Sequence, residues 1–292
     1  MRFYAKTTDP ISVQMLSKIS AILCKSCSKR ILLKVDPKSL SFILNDRMLL
    51  GGLAMYSKIR ANSIFDEYAV QNEETQNVIA FDFPIELFSK CLRNGNFQSV
   101  IHSFKMKLAK REDGHPCIRV VIDSPGAING PDRIISHELP VNVYNNSLIL
   151  ADDAIVACPH EPKCDVTILV SSLRILKNVI ERIRNVGHVV TLTYNRSNGS
   201  FHCSMSNDLV SIKTQFEKVE LKSDENITAG VSREVNREVS VPIDANKLLR
   251  VLSSHVLNPA KVHLGLKHDT YVVLSVQIDA IMMQYVLPCF SV

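Results

Sequence analysis

Apolar and polar positions along the chain alternate with two periods, near two and near 3.6 residues, and these separate strands from amphipathic helices. Met1–Thr7 reads as a strand, and Asp9 with Pro10 opens a helix over Ile11–Ser26. Strands Arg30–Val35, Ser39–Leu44 and Gly51–Ile59 follow, with a turn at Asp36-Pro37 and a break at Gly51-Gly52. The acidic stretch from Glu67 to Glu74 has no period and reads as irregular. Val78–Phe83 then runs into helix Pro84–Arg93, followed by strands Ser103–Lys110, Cys117–Asp123 and Ile134–Val143. Further on come strand Asp165–Val170, helix Ser171–Val186 and strands His188–Tyr194, Phe201–Ser206 and Leu209–Phe216, with a hairpin turn at Arg196-Ser197-Asn198-Gly199. After the polar segment Glu220–Asn236, Glu238–Ile243 runs into helix Asp244–Ser254, and strands Lys261–His268, Tyr271–Gln277 and Ala280–Leu287 end the pattern.

The strand–helix–strand–strand unit thus occurs twice, and an internal repeat dictates architecture. The expected class is α+β, with two tandem domains in which four helices lie on mostly antiparallel sheets. Regular helices do not separate successive strands, which argues against a parallel doubly wound sheet. The expected division is residues 1–143, a connector over 144–164, and residues 165–292. Tyr144–Cys164 fits neither period and contains Asn145-Asn146, Asp152-Asp153, Pro159 and Pro162.

Charge changes the picture through its location. The net charge is only +5, from 34 basic and 29 acidic side chains. On a helical wheel, Leu173, Ile175, Leu176, Val179, Ile180, Ile183 and Val186 share one arc. Arg174, Lys177, Asn178, Glu181, Arg182, Arg184 and Asn185 share the other. In the first helix Met15, Leu16, Ile19, Ile22 and Leu23 oppose Gln14, Ser17, Lys18 and Lys25. The four helices hold ten bases (Lys18, Lys25, Lys90, Arg93, Arg174, Lys177, Arg182, Arg184, Lys247 and Arg250) against Glu86, Glu181 and Asp244. That surplus of seven leaves the rest of the chain at −2. A helix of 16 residues is about 24 Å long and faces about 14 phosphates of duplex DNA. One chain cannot neutralise that charge, but several chains around one duplex can.

Met1-Arg2-Phe3-Tyr4-Ala5-Lys6, Leu40-Ser41-Phe42-Ile43-Leu44-Asn45-Asp46, Gly51-Gly52, Phe65-Asp66-Glu67-Tyr68, His137-Glu138-Leu139-Pro140-Val141 and Gln284-Tyr285-Val286-Leu287-Pro288 form an ordered set. Taken together, the set resembles the Hus subunits of the checkpoint sliding clamp, the heterotrimeric nine-one-one ring related to PCNA. The resemblance spans the chain. It implies two PCNA-like domains with helices lining a central hole, and it makes the ten bases candidates for contacting double-stranded DNA without sequence specificity. Arg174, Lys177, Lys18 and Lys25 are the best placed on their wheels.

Subunits of that family join by pairing edge strands. The expected interface strands are Cys117, Ile118, Arg119, Val120, Val121 and Ile122 up to Asp123, and Leu209, Val210, Ser211, Ile212, Lys213 and Thr214 up to Phe216. Implied partners are two paralogous clamp subunits, a clamp loader, and repair and checkpoint proteins received at the connector. The connector and Glu220–Asn236 depart from the family in length and composition, so individual client-binding residues are not carried over. Replication clamps of the same superfamily are typically acidic and this chain is basic, which favours the checkpoint branch. The short end after Leu287 implies that another subunit carries a phosphorylated signalling tail.

Catalytic signatures are missing: the chain has no P-loop, G-x-G-x-x-G, H-E-x-x-H or G-x-S-x-G. Cys24-Lys25-Ser26-Cys27 has knuckle spacing but no mate pair, and it reads as structural. Cys158-Pro159-His160-Glu161-Pro162-Lys163-Cys164 offers three ligands where a tetrahedral metal needs four. The expectation is therefore no enzyme, cofactor or metal. Eight cysteines without a secretory signal read as reduced thiols, so the sequons at Asn195, Asn198 and Asn226 are expected to stay unglycosylated. No apolar run approaches the roughly 18 residues of a membrane span. The expected location is the nucleus, with a cytoplasmic pool; Lys107–Arg111 is a modest basic cluster. A homotrimeric replication clamp and a non-ring adaptor or enzyme with a duplicated sheet remain alternatives.

Overall fold

A computed structural model of the chain describes residues 1–26, 30–45, 52–94, 101–125, 132–150, 162–222 and 238–290. The chain divides into two compact units, Met1–Leu44 with Tyr56–Pro159, and Asn45–Met55 with His160–Val292. Ala54 is buried with Val273 and Val286, which is why Asn45–Met55 goes with the second unit rather than with the expected domain 1–143.

The first unit contains β1 (Arg2–Thr7), α1 (Pro10–Ser26), β2 (Ile31–Asp36), β3 (Ser39–Asn45), β4 (Ala54–Arg60, from Tyr56 on), β5 (Glu67–Gln71) and β6 (Ile79–Phe83). It continues through α2 (Ile85–Asn94), β7 (Ser103–Lys110), β8 (Pro116–Ser124), β9 (Arg133–Pro140), β10 (Asn142–Val143) and the short α3 (Asn146–Leu150). One sheet has the order β5-β1-β7-β8-β9 and the other runs β10-β6-β2-β3-β4. Phe81 and Phe83, two residues apart on β6, point to one face and meet Phe3, Phe42 and Phe88 at ring-centroid distances of 5.1–6.4 Å. The opposite face, with Leu32, Ile43, Tyr56 and Ala80, is covered by Ile149 of α3 and by Tyr144 and Val78.

The second unit contains β11 (Val166–Leu169), α4 (Leu173–Arg184), β12 (Val189–Asn195), β13 (Ser200–Ser206), β14 (Ser211–Phe216) and β15 (Glu238–Asp244). Then come α5 (Ala245–Leu252), β16 (Lys261–Lys267), β17 (Tyr271–Ile278) and β18 (Ile281–Pro288). Its strand orders are β14-β13-β12-β15 and β18-β17-β16-β11. These match β4-β3-β2-β6 and β9-β8-β7-β1 of the first unit position for position. The duplication seen along the sequence is therefore a duplication of topology. The pairings with described register are all antiparallel.

Both expected turns form, and both have a chemical cause. The Asp36 carboxylate accepts from the Lys38 and Ser39 backbone N–H groups and from the Ser39 hydroxyl at 2.6–2.9 Å. Gly199 takes φ +63° in the hairpin that sets Asn195 opposite Ser200, where a side chain would be strained. Tyr68 of β5 braces the turn between β2 and β3 by donating to the carbonyls of Asp36 and Ser39, and burial pushes its phenol pKa up.

The structure corrects four expectations. Glu67–Gln71, in the stretch read as irregular, is strand β5, paired with β1 on the sheet edge where solvent-facing side chains mask the alternation. Ile134–Val143 breaks at Pro140, which has no N–H to continue a ladder, into β9 and β10. The connector begins with a fifth helix, α3, whose Asn146 bonds to Asn72 and Glu74. Ile175 and Val186 lie outside the buried face of α4, at 55% and 40% exposure, because burial takes only Leu173, Leu176, Ile180 and Ile183. Among the described residues, no helix is long and apolar enough to cross a membrane.

The start of α1 yields a prediction. The Asp9 carboxylate accepts from the N–H groups of Ile11 and Ser12, both at 3.0 Å, and from the Ser12 hydroxyl at 2.7 Å, while Pro10 takes the position that needs no donor. The Ser12 hydroxyl first, and then the backbone donors, hold the Asp9 pKa below its ordinary value despite some desolvation. A lowered pKa contributes stability above the unfolded-state value, and that contribution is lost as pH falls through the folded one. Asp9→Ala should cost about 1 kcal/mol in urea denaturation at neutral pH. The cost should vanish in acid below the folded-state pKa of Asp9; a cost that is the same at both pH values would refute the cap.

Candidate nucleic-acid interface

Each unit sets two helices side by side, α1 with α2 and α4 with α5. Ser172 caps α4 by accepting from the Ile175 N–H at 3.3 Å, and Asp244 caps α5 by accepting from the N–H groups of Asn246 and Lys247 at 2.8 and 3.1 Å. In the second unit α4 packs on β12 and β13, with Leu173, Leu176, Ile180 and Ile183 buried. Ala245, Leu248, Val251 and Leu252 are the buried face of α5. Burying four such aliphatic side chains stabilises each helix–sheet contact by about 1.5–3 kcal/mol per residue. With those faces inward, charged side chains must point to water, since burying an unpaired cation is costly.

The ten bases fall on these two helix pairs. Lys18, Lys25, Lys90 and Arg93 lie on α1 and α2, and Arg174, Lys177, Arg182, Arg184, Lys247 and Arg250 lie on α4 and α5. Eight are exposed, while Lys177 and Lys247 are half-buried. Among them, Lys90 meets the acid Glu86 at 2.7 Å and Lys177 meets Glu181 at 3.0 Å, each one helical turn away. Lys177, one of the four best-placed residues on the wheel, is thus half-buried and partly neutralised. Arg174, Arg182 and Arg184 are exposed on the same helix. At the first pair Cys24 lies between the helices, donating to the Ile85 carbonyl at 3.4 Å, and burial pushes its thiol pKa up.

The edge strands divide differently from expectation. Cys117–Ile122 belong to β8, which is hydrogen-bonded to β7 on one side and to β9 on the other, so no free edge exists there. One edge of that sheet is β9, which carries Ile134 at 71% exposure, and the other is β5. In the other unit β14 is one edge of its four-stranded sheet, paired with β13 alone among the described residues. Ser211–Thr214 lie on it, whereas Leu209 (91% exposed) and Val210 precede it. β9 was missed because alternation marks a half-buried strand without saying which neighbours it has. Its one legible signal was the exposed Ile134 at the strand start.

Among the described residues, no three potential metal ligands come together. Cys27, Cys158, His160 and Glu161 lie outside the described residues.

The family model described as Hus1-like protein matches residues 1–291. The human protein named checkpoint protein HUS1 is 24% identical over 292 residues, covering all of both chains. Checkpoint protein Hus1-like of Drosophila melanogaster is 22% identical over 97% of each, and the checkpoint protein hus1 homolog of Dictyostelium discoideum 23% identical over 87% of each. Among solved structures, Proliferating Cellular Nuclear Antigen from Entamoeba histolytica superposes with a TM-score of 0.70 at 12% identity, covering 99% of both chains. The fold is PCNA-like: α+β, mostly antiparallel, with tandem clamp domains.

The two ion-pair states of α4 can be tested. Arg174→Glu should weaken binding to a fluorescent DNA duplex and lower the salt dependence by about one counterion, while Lys177→Glu should have a smaller effect. Fluorescence anisotropy across a salt series on the assembled protein measures both; equal losses would contradict the local neutralisation of Lys177 by Glu181.

Proposed function

The chain belongs to the Hus1-like protein family, and from that premise we propose that it is a non-catalytic subunit of a heterotrimeric DNA sliding clamp in the DNA-damage checkpoint. Two paralogous subunits complete the ring, a clamp loader opens it, and double-stranded DNA passes through without sequence specificity. The observation that carries this reading is the duplicated arrangement of two basic helix pairs with sheet edges at β9 and β14. Exposed strand edges are a liability unless they are paired, and pairing them between subunits closes a ring.

Retention on DNA is then topological. The bases on the helices need only shallow phosphate contacts, because steric enclosure prevents escape and tight binding would impede sliding. Repair and checkpoint proteins held on the ring gain effective concentration at the DNA. Work of this kind places the protein in the nucleus. The subunit interface is assigned to β9 (Arg133–Pro140) and to β14 with Leu209 and Val210 ahead of it.

Light scattering across a dilution series tests the subunit assignment. The purified chain should remain near its single-chain mass of 32.7 kDa and form a ring only with its paralogues. A stable homotrimer of about 98 kDa, three times 32.7 kDa, would overturn the heterotrimer. The edge assignment has its own test. Ile134→Glu on β9 should weaken assembly by at least about tenfold with an unchanged melting temperature, whereas Val120→Glu, fully buried on β8, should lower the melting temperature. Normal assembly by the Ile134 variant would remove β9 from the interface.

A further inference from the structure

The two sheet edges assigned to the ring, β9 and β14, carry the same order of side chains on their core faces. On β9 the inward row is Ile135, His137 and Leu139, and their register partners on β8, Ile122, Val120 and Ile118, are at most 1% exposed. On β14 the inward row is Ile212, Thr214 and Phe216, opposite the buried Met205, Cys203 and Phe201 of β13. Each row reads apolar, polar, apolar, with the polar residue in the middle. Packing alone does not call for that residue, since a valine would fill either position with no hydrogen bond to satisfy.

The β9 residue carries the clearer sign. His137 ends a cross-strand row that begins with Met106 and Val120, both at most 1% exposed. Its Nε2 is buried and has no hydrogen-bond partner among the described residues. A buried nitrogen without a partner lowers stability, and the loss is recovered when a partner arrives. β8 occupies one side of β9 and the other side is open among the described residues, so a partner comes from there. The core face of β14 is also unfinished. α4 packs on β12 and β13, leaving Ile212, Thr214 and Phe216 half-buried and Ile175 at 55% exposure beside a cavity of about 470 Å³.

We propose that His137 and Thr214 are register keys: each makes a side-chain hydrogen bond to the edge strand of a neighbouring clamp subunit, His137 at the β9 joint and Thr214 at the β14 joint. The assignment rests on the ring reading above and names what fixes register and partner at its joints. Strand pairing alone leaves register loose, because the side-chain pattern repeats every two residues and a slip of two keeps the same faces inward. With a polar residue at the centre of each row, such a slip sets His137 or Thr214 against an apolar side chain and leaves a polar group unpaired. The same mismatch penalises a wrong subunit, which is the use that a single buried polar residue has in coiled coils. The occupant of each edge is therefore a clamp paralogue whose own edge strand presents a polar side chain between two apolar ones.

The test uses the full-length chain with its two paralogues. Native mass spectrometry across a dilution series follows ring assembly, and the melting temperature of the full-length chain by itself follows folding. His137→Leu should leave the melting temperature unchanged or raised, since it removes an unsatisfied nitrogen, and should weaken assembly by about tenfold. His137→Gln, whose amide reaches about as far as Nε2, should assemble like the wild type. Thr214→Val, of equal size, should weaken assembly in the same way as His137→Leu. A lowered melting temperature with intact assembly gives His137 a purely structural role and overturns the proposal. So does a loss of assembly in His137→Leu that His137→Gln does not avoid, or a Thr214→Val ring as stable as the wild type. A wild-type ring that tolerates both apolar variants rejects only the keys, whereas a wild-type chain that joins neither paralogue rejects the ring reading and the keys with it.

Discussion

The seam between a helix pair and the sheet beneath it sets the remaining features of each unit. In the second unit that seam takes Leu173, Leu176, Ile180 and Ile183 of α4 and Leu248, Val251 and Leu252 of α5. Once these side chains are inside, helical geometry places Arg174, Arg182, Arg184 and Arg250 outside, since residues one or two positions along a helix lie on another face. Charge segregation is thus a consequence of packing. The caps at Asp9, Ser172 and Asp244 fix where three of the helices begin, and so how the basic faces are phased along them.

The sheets carry the second constraint, which is that every strand has two hydrogen-bonding sides. β8 has both sides satisfied within its own sheet, while β9 and β14 stand at sheet edges. Under the proposed reading, such edges join neighbouring subunits by strand addition and leave the helices free for DNA.

Much of this was legible in the residues. The repeat of Val78–Arg93 by Glu238–Ser254, the turns at Asp36-Pro37 and Asn198-Gly199, and four of the helices depend on contacts a few positions apart, and they appear where the pattern put them. So does the location of the ten bases on helices. β5 was not legible, because a sheet-edge strand with polar side chains shows little alternation. Nor was α3, whose five residues are too few to display a period. The exposure of Ile175 was hidden too, since a wheel ranks direction but not the width of the partner surface.

The sequence by itself determined which segments are strands and helices, that they occur twice, and which helix faces carry charge, because those properties follow from periodicity over a few residues. Tertiary structure alone decided that β9 rather than β8 stands at an edge of its sheet, and that Lys177 shares its charge with Glu181. The physical reason is range. Strand order is set by residues that fold together from distant parts of the chain, and no local pattern records those meetings.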